Sequence, residues 1–219
     1  MARLAHRETH VLNDIVPRVA SALHGRVIFG RRVLALADNL AEIVPIGVAT
    51  LLDVGCGDGT LARALRERRP AIDVVGVEIR ARPHTAIPVT EFDGRRIPFP
   101  DGAFDAVMLV DVLHHAEDPH LLIAEAARVA ARAVIIKDHL ADAWLSHARL
   151  RMMDWVGNVG HGVPLRYEYW SRREWRDAFR SAGLREVNRR EELGLYGPLF
   201  RLLFERRLHF ASCFVPGGL

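Results

Sequence analysis

Three groups of side chains in this sequence are spaced for chemistry. The first is a glycine cluster flanked by carboxylates, Asp53-Val54-Gly55-Cys56-Gly57-Asp58-Gly59-Thr60. Glycine at every second position allows backbone angles that a Cβ forbids and lets the main chain approach a ligand closely. The spacing is Gly-x-Gly-x-Gly, with Thr60 where a dinucleotide loop would carry its last glycine. Asp53 and Asp58 are poor neighbours for a diphosphate, which wants a helix N-terminus without added negative charge; they suit a ligand with an ammonium group. The second is Glu78, about 20 residues beyond Gly57, at the end of the apolar run Ile72–Val77. A carboxylate there presents two oxygens to the vicinal hydroxyls of a ribose.

The third group pairs histidines with acids: Asp111-Val112-Leu113-His114-His115, Lys137-Asp138-His139 and Gly160-His161-Gly162. Histidine titrates nearest neutral pH, so His115, His139 and His161 are the candidates to take a proton from a hydroxyl acceptor. Asp138 stands beside His139, and two glycines flank His161. Acceptors that are already anionic, or that react through nitrogen or carbon, need no base, and this alternative stays open. His114 and His115 are adjacent at a helix start and are expected to point apart, so no metal site is expected of them.

These residues need a sheet to hold them. Thr50–Val54 reads as a buried parallel strand and Leu61–Leu65 as the start of a helix ended by Pro70. Further strands are expected at Ile72–Val77, near Ile87–Thr90, at Ala106–Val110, Ala133–Ile136, Leu184–Arg190 and Leu208–Val215. Pro83 and Pro88 leave no room for a crossover helix between the second and third strands, so a helix-poor connection is expected. Val11–Leu23 and Arg31–Val44 show helical spacing of apolar residues, as does Trp144–Trp155. Asp118-Pro119 starts a helix, with a side-chain cap followed by proline at the first position. Ser171-Arg172-Arg173-Glu174 is a capping box, and Gly183 stops the helix that follows.

The loop Asp-Val-Gly-Cys-Gly-Asp-Gly resembles motif I of the class I S-adenosylmethionine-dependent methyltransferases. Phe92-Asp93-Gly94 to Val107 and Asp111 to Pro119 are similar to two further blocks of the ubiquinone-biosynthesis-like branch of that family, although Phe92 replaces a usual glycine. The resemblance covers about Thr50 to Lys137. It implies a Rossmann-like α/β fold with a seven-stranded, mostly parallel sheet of order 3-2-1-4-5-7-6, strand seven antiparallel and helices on both faces. It also implies S-adenosylmethionine as cofactor, held by Asp53, Gly55, Cys56, Gly57, Glu78, Asp93, Gly94 and Asp111, with Asp93 accepting from the adenine amino group and Gly94 N–H donating to the ring. Asp105 is expected to be structural, capping the turn into strand four.

Residues 1–219 read as a single domain: N-terminal helices in 1–47, a cofactor-binding core in 48–140, an acceptor lid and helix in 141–183, and C-terminal strands in 184–219. Half of the residues are hydrophobic, the net charge is +3, and Lys137 is the single lysine among 30 basic residues. There is no appended basic module, so a nucleic-acid substrate is not expected. No apolar run is long enough to span a membrane, and the first residues lack a continuous apolar signal region, so a cytoplasmic protein is expected. The expected activity is methyl transfer to a small-molecule acceptor, with oxygen as the target. Two other classes are weighed. A nicotinamide oxidoreductase would need a third phosphate-loop glycine and a Tyr-x-x-x-Lys that the chain lacks. A non-catalytic cofactor-binding subunit that supports a partner enzyme would differ by failing to turn over cofactor.

Overall fold

A sheet buried on both faces needs runs of apolar residues in its central strands, and β1 (Thr50–Val54), β4 (Phe104–Val110) and β5 (Ala130–His139) carry them at Leu51–Leu52, Ala106–Val110 and Ala133–Ile136. The computed structural model of the protein describes residues 30–142, 145–151, 169–197, 201, 205 and 207–217. With β2 (Asp73–Glu78), β3 (Val89–Glu91), β6 (Leu184–Arg190) and β7 (His209–Pro216), these strands form one sheet of order β3-β2-β1-β4-β5-β7-β6. β1 to β5 are mutually parallel, and β7 runs antiparallel to both β5 and β6. This is the expected order and direction.

Alternate residues serve opposite faces. Leu52, Val54, Val107, Leu109, Val134 and Ile136 pack with α3 (Pro119–Val129) and α5 (Arg172–Ser181). Leu51, Ala106, Met108, Ala133 and Ile135 pack with the helix over 30–43 (α1) and α2 (Thr60–Arg68). Each fully buried Leu or Ile contributes about 1.5–3 kcal/mol over an exposed one, so both helical layers are tied firmly to the sheet.

The helix starts follow their local chemistry. Asp118 accepts from Leu121 N–H at 3.0 Å ahead of Pro119, and the Ser171–Glu174 capping box is complete. Gly183, at φ 66°, ends the turn after α5. No helix joins β2 to β3, in line with the prolines there. Residues 146–151 (α4) are helical, within the span expected from Trp144 to Trp155. The expected helix Val11–Leu23 and the glycine-rich loop with His161 lie outside the described residues.

β2 and β7 each lie one residue later than expected, β5 begins three residues earlier, and three further differences bear on the site. β4 begins at Phe104, so Asp105 lies inside the strand; its carboxylate accepts from Ala49 N–H at 2.7 Å and Thr50 N–H at 3.1 Å, pinning the start of β1. β3 is Val89–Glu91 rather than Ile87–Thr90. β5 continues through Lys137 and Asp138 to His139, because β7 extends the ladder as far as the pair His139↔His209. Among the described residues no helix is long and apolar enough to cross a membrane.

Candidate active site

The strand order places the C-terminal tips of β2, β1, β4 and β5 side by side, and the chemistry-bearing residues divide between them. At the β1–β2 side, Gly55 and Cys56 donate backbone N–H to the Val77 carbonyl at 2.8 and 3.2 Å, drawing the glycine loop onto the end of β2. Gly55 (φ 71°) and Gly59 (φ 75°) are sterically closed: a Cβ on either would lie 2.6 Å from Val112 Cγ2 or Ile87 Cγ1. Gly57 (φ 59°) is different, since its Cβ would meet nothing nearer than Arg82 Nη2 at 3.9 Å. The backbone there borders open space, as a ligand cradle requires.

Glu78 closes this end. Its Oε2 accepts from Gly57 N–H and its Oε1 from Ile79 N–H, both at 2.8 Å, which fixes the carboxylate plane and leaves a second lone pair on each oxygen. Asp53 lies within β1, opposite Gly76 and Met108, and is buried. Burial, and then the Glu78 charge, push its carboxyl well above the usual range, an effect that a bound cation would oppose. Cys56 is a free thiol pushed up to about 12 by burial and then by Asp53 and Glu78, so it is no thiolate nucleophile at neutral pH. Beyond β3, Asp93 Oδ1 accepts from Arg95 N–H at 2.8 Å and Arg96 N–H at 2.7 Å, and Gly94 (φ 76°) sits beside Ile79.

The β4–β5 side is built from buried ionisable groups. Asp111 adopts φ 57° directly after β4, and its N–H donates to the Lys137 carbonyl at 2.9 Å. Its Oδ1 accepts from Lys137 Nζ and its Oδ2 from Arg32 of α1 at 2.7 Å. Burial alone would push the Asp111 carboxyl up, yet Lys137 and then Arg32 hold it well below the usual range. Lys137 is fully buried, and burial pulls its ammonium down against the opposing pull of Asp111. His209 of β7 lies within 3.4 Å of Lys137 Nζ and is held well below the usual histidine range by burial and then by Lys137.

The next residue of β5, Asp138, organises two histidines. Its Oδ2 accepts from Leu113 N–H at 3.1 Å and its Oδ1 from His139 N–H at 2.8 Å. His114 Nδ1 lies 2.7 Å and His139 Nδ1 3.2 Å from the same Oδ1. Burial, and then the proximity of His114, pull the His139 imidazole below its ordinary value. Trp175 Nε1 donates to the His139 carbonyl at 2.9 Å, fixing α5 to this tip.

The histidine expectations fare unequally. His139 lies in the buried cluster, His115 is half-buried at the end of the short turn Leu113–His115, and His161 is outside the described residues. His114 and His115 do not point apart: their ring centroids are 4.0 Å from each other, because a 3₁₀ turn rather than an α-helix follows β4. Sequence reasoning missed Arg32 and His209 altogether. The available signal was Lys137, the chain's single lysine, directly after an apolar run. A groove of about 580 Å³ lined by Arg96–Asp101 and Arg128 lies at the opposite, N-terminal edge of β4 and β5 and takes no part in this site.

A sequence family described as a methyltransferase domain matches residues 28–188. An uncharacterized methyltransferase of Mycobacterium tuberculosis is 38% identical over 86 residues, covering 36% of this chain and 44% of that one. The 27-O-demethylrifamycin SV methyltransferase of Amycolatopsis mediterranei is 31% identical over 108 residues, 43% of this chain and 39% of that one. The matches thus span less than half the length of these relatives. A methyltransferase solved in complex with the Haloferax volcanii Trm112 methyltransferase activator superposes with a TM-score of 0.66 at 18% identity, covering 91% of this chain and 96% of that one.

Proposed function

The chain belongs to the methyltransferase family, which uses S-adenosylmethionine, and from that premise we propose that it transfers the cofactor's methyl group to an oxygen of a small-molecule acceptor. The observation that carries the reading is the shared sheet edge: the Gly55–Gly59 loop and Glu78 at the tips of β1 and β2 adjoin the buried polar cluster at the tips of β4 and β5. Open space over Gly57 and the pre-oriented Glu78 carboxylate fit the cofactor.

Glu78 holds the two ribose hydroxyls. Asp93, whose observed bonds both fall on Oδ1, accepts the adenine amino group through Oδ2, and Gly94 N–H donates to the ring. Gly55, Cys56, Gly57 and Asp53 face the methionine portion. Asp111, at the tip of β4 with its carboxylate held by Lys137 and Arg32, borders the same portion. The bound cofactor supplies a methyl made electrophilic by its sulfonium. The chain's own task is to align acceptor and donor, which can lower the barrier by about 7–11 kcal/mol. The acceptor's proton leaves toward the β4–β5 cluster, where His139 lies, a step worth about 10²–10⁴-fold. The rifamycin relative named above supports a small molecule and an oxygen target.

Purified protein with isotopically labelled S-adenosylmethionine and a panel of phenolic and polyketide acceptors tests this. Label transferred to an acceptor oxygen supports the reading. Cofactor binding without transfer to any acceptor selects a non-catalytic cofactor-binding subunit, and absence of cofactor binding overturns both.

A further inference from the structure

Asp138 is an unusual buried carboxylate. Asp111 has two cationic partners in Lys137 and Arg32, whereas among the described residues no lysine or arginine contacts Asp138. A buried anion needs a compensating cation or a full set of donors. Here three nitrogens crowd one oxygen: His139 N at 2.8 Å, His114 Nδ1 at 2.7 Å and His139 Nδ1 at 3.2 Å from Oδ1. The two imidazole Nδ1 atoms are themselves 3.4 Å apart.

Two edges of that triangle have the dimensions of one face of a metal coordination shell, and the third, between His114 Nδ1 and Asp138 Oδ1, is shorter. Ligands about 2.0–2.1 Å from a first-row ion stand about 2.9–3.4 Å from one another. Asp138 Oδ1, His114 Nδ1 and His139 Nδ1 have edges of 2.7, 3.2 and 3.4 Å. We propose that His114, His139 and Asp138 bind a divalent first-row transition ion. Two imidazoles and one carboxylate are donors for zinc, iron or manganese, and the set lacks the all-oxygen character that calcium and magnesium prefer.

The surroundings fit. Backbone N–H groups of Leu113 and His139 orient the Asp138 carboxylate, as outer-sphere partners of a metal ligand do. Asp111 Oδ1 stands 3.9 Å from His139 Nε2, on the side of the ring that a second-shell carboxylate takes. Arg32 and Lys137 neutralise Asp111, so that the negative charge an ion would meet is that of Asp138. His114, Asp138 and His139 are at most 4% exposed, and Asp111, with 20% of its side chain exposed, marks the side from which solvent reaches them. At the tips of β4 and β5, an ion on that side would polarise an acceptor hydroxyl, with His139 serving as its ligand and not as the base; this consequence, unlike the binding itself, rests on the methyl-transfer reading.

The test uses the intact chain, stripped with a chelator and titrated with Co²⁺, followed by visible absorption and calorimetry. The expected result is one ion per chain with ligand-field bands, and at least tenfold weaker binding in Asp138→Asn and His114→Gln, each checked for native circular dichroism. No ligand-field bands in the wild-type chain, or unchanged affinity in the folded variants, overturns the proposal. The wild-type titration decides alone if the variants do not fold. S-adenosylmethionine affinity is measured on the stripped protein in parallel: retained cofactor binding and turnover without Co²⁺ uptake removes the metal and leaves the methyl-transfer reading standing.

Discussion

The two halves of the strand-tip edge are built on opposite principles. At β1 and β2 the groups facing outward are main-chain atoms of a glycine loop and one half-buried carboxylate held by two backbone N–H bonds. At β4 and β5 the groups are side chains, with Lys137, Asp138, His139 and His209 all buried. The first side draws on local chain geometry and buries one carboxyl, that of Asp53. The second holds a buried ion pair whose partners depend on one another for their charged states. Substitutions at the ligand-facing positions of the first side, Gly57 and Glu78, should therefore alter ligand affinity more than stability, whereas the sterically closed Gly55 and Gly59 and the second side should alter stability first.

The largest effect is expected at Lys137. Lys137→Met leaves Asp111 with only Arg32, and breaking a buried pair in this way costs about 3–5 kcal/mol. Denaturant unfolding measures it; a loss below about 1 kcal/mol would mean that the pair is not the keystone of this side. Gly55→Ala comes next, because it joins a left-handed φ to a 2.6 Å approach to Val112. Left-handed strain of about 1–2 kcal/mol and overpacking of about 1–3 kcal/mol together predict a loss of about 2–5 kcal/mol. Val112→Ala should restore the overpacking share, and failure of that rescue contradicts the steric account. Gly57→Ala adds no such contact, so its stability loss should stay near about 1–2 kcal/mol while cofactor affinity falls, as calorimetry would report. Asp93→Ala should have the smallest effect, with an unchanged melting temperature and a preference for adenosine over inosine cofactor analogues that shrinks.

How much of this could be read from the sequence follows the same division. The glycine loop and Glu78 were legible because a strand, a turn and the next strand tip lie within one βαβ unit, where spacing alone fixes proximity. Pro83 and Pro88 likewise announced the missing crossover helix. The β4–β5 cluster was not legible as a unit. It joins α1, β4, β5 and β7, and the meeting of Arg32 with Asp111 spans 79 residues of chain. Lys137, Asp138 and His139 were placed beyond the end of their strand because Ile136 ends the apolar run. The antiparallel partner β7 continues the pairing to His139 and buries three polar residues that the expected strand, ending at Ile136, left outside it.

The measurement that bears most directly on the account is calorimetric titration of S-adenosylmethionine into the wild-type chain and into Glu78→Ala, with thermal unfolding of both recorded alongside. The account predicts one cofactor per wild-type chain, affinity about 10- to 150-fold weaker in the variant, as the loss of charge-assisted bonds worth about 1.5–3 kcal/mol requires, and closely similar melting temperatures. Equal affinities in the two proteins, with both folded, would contradict it.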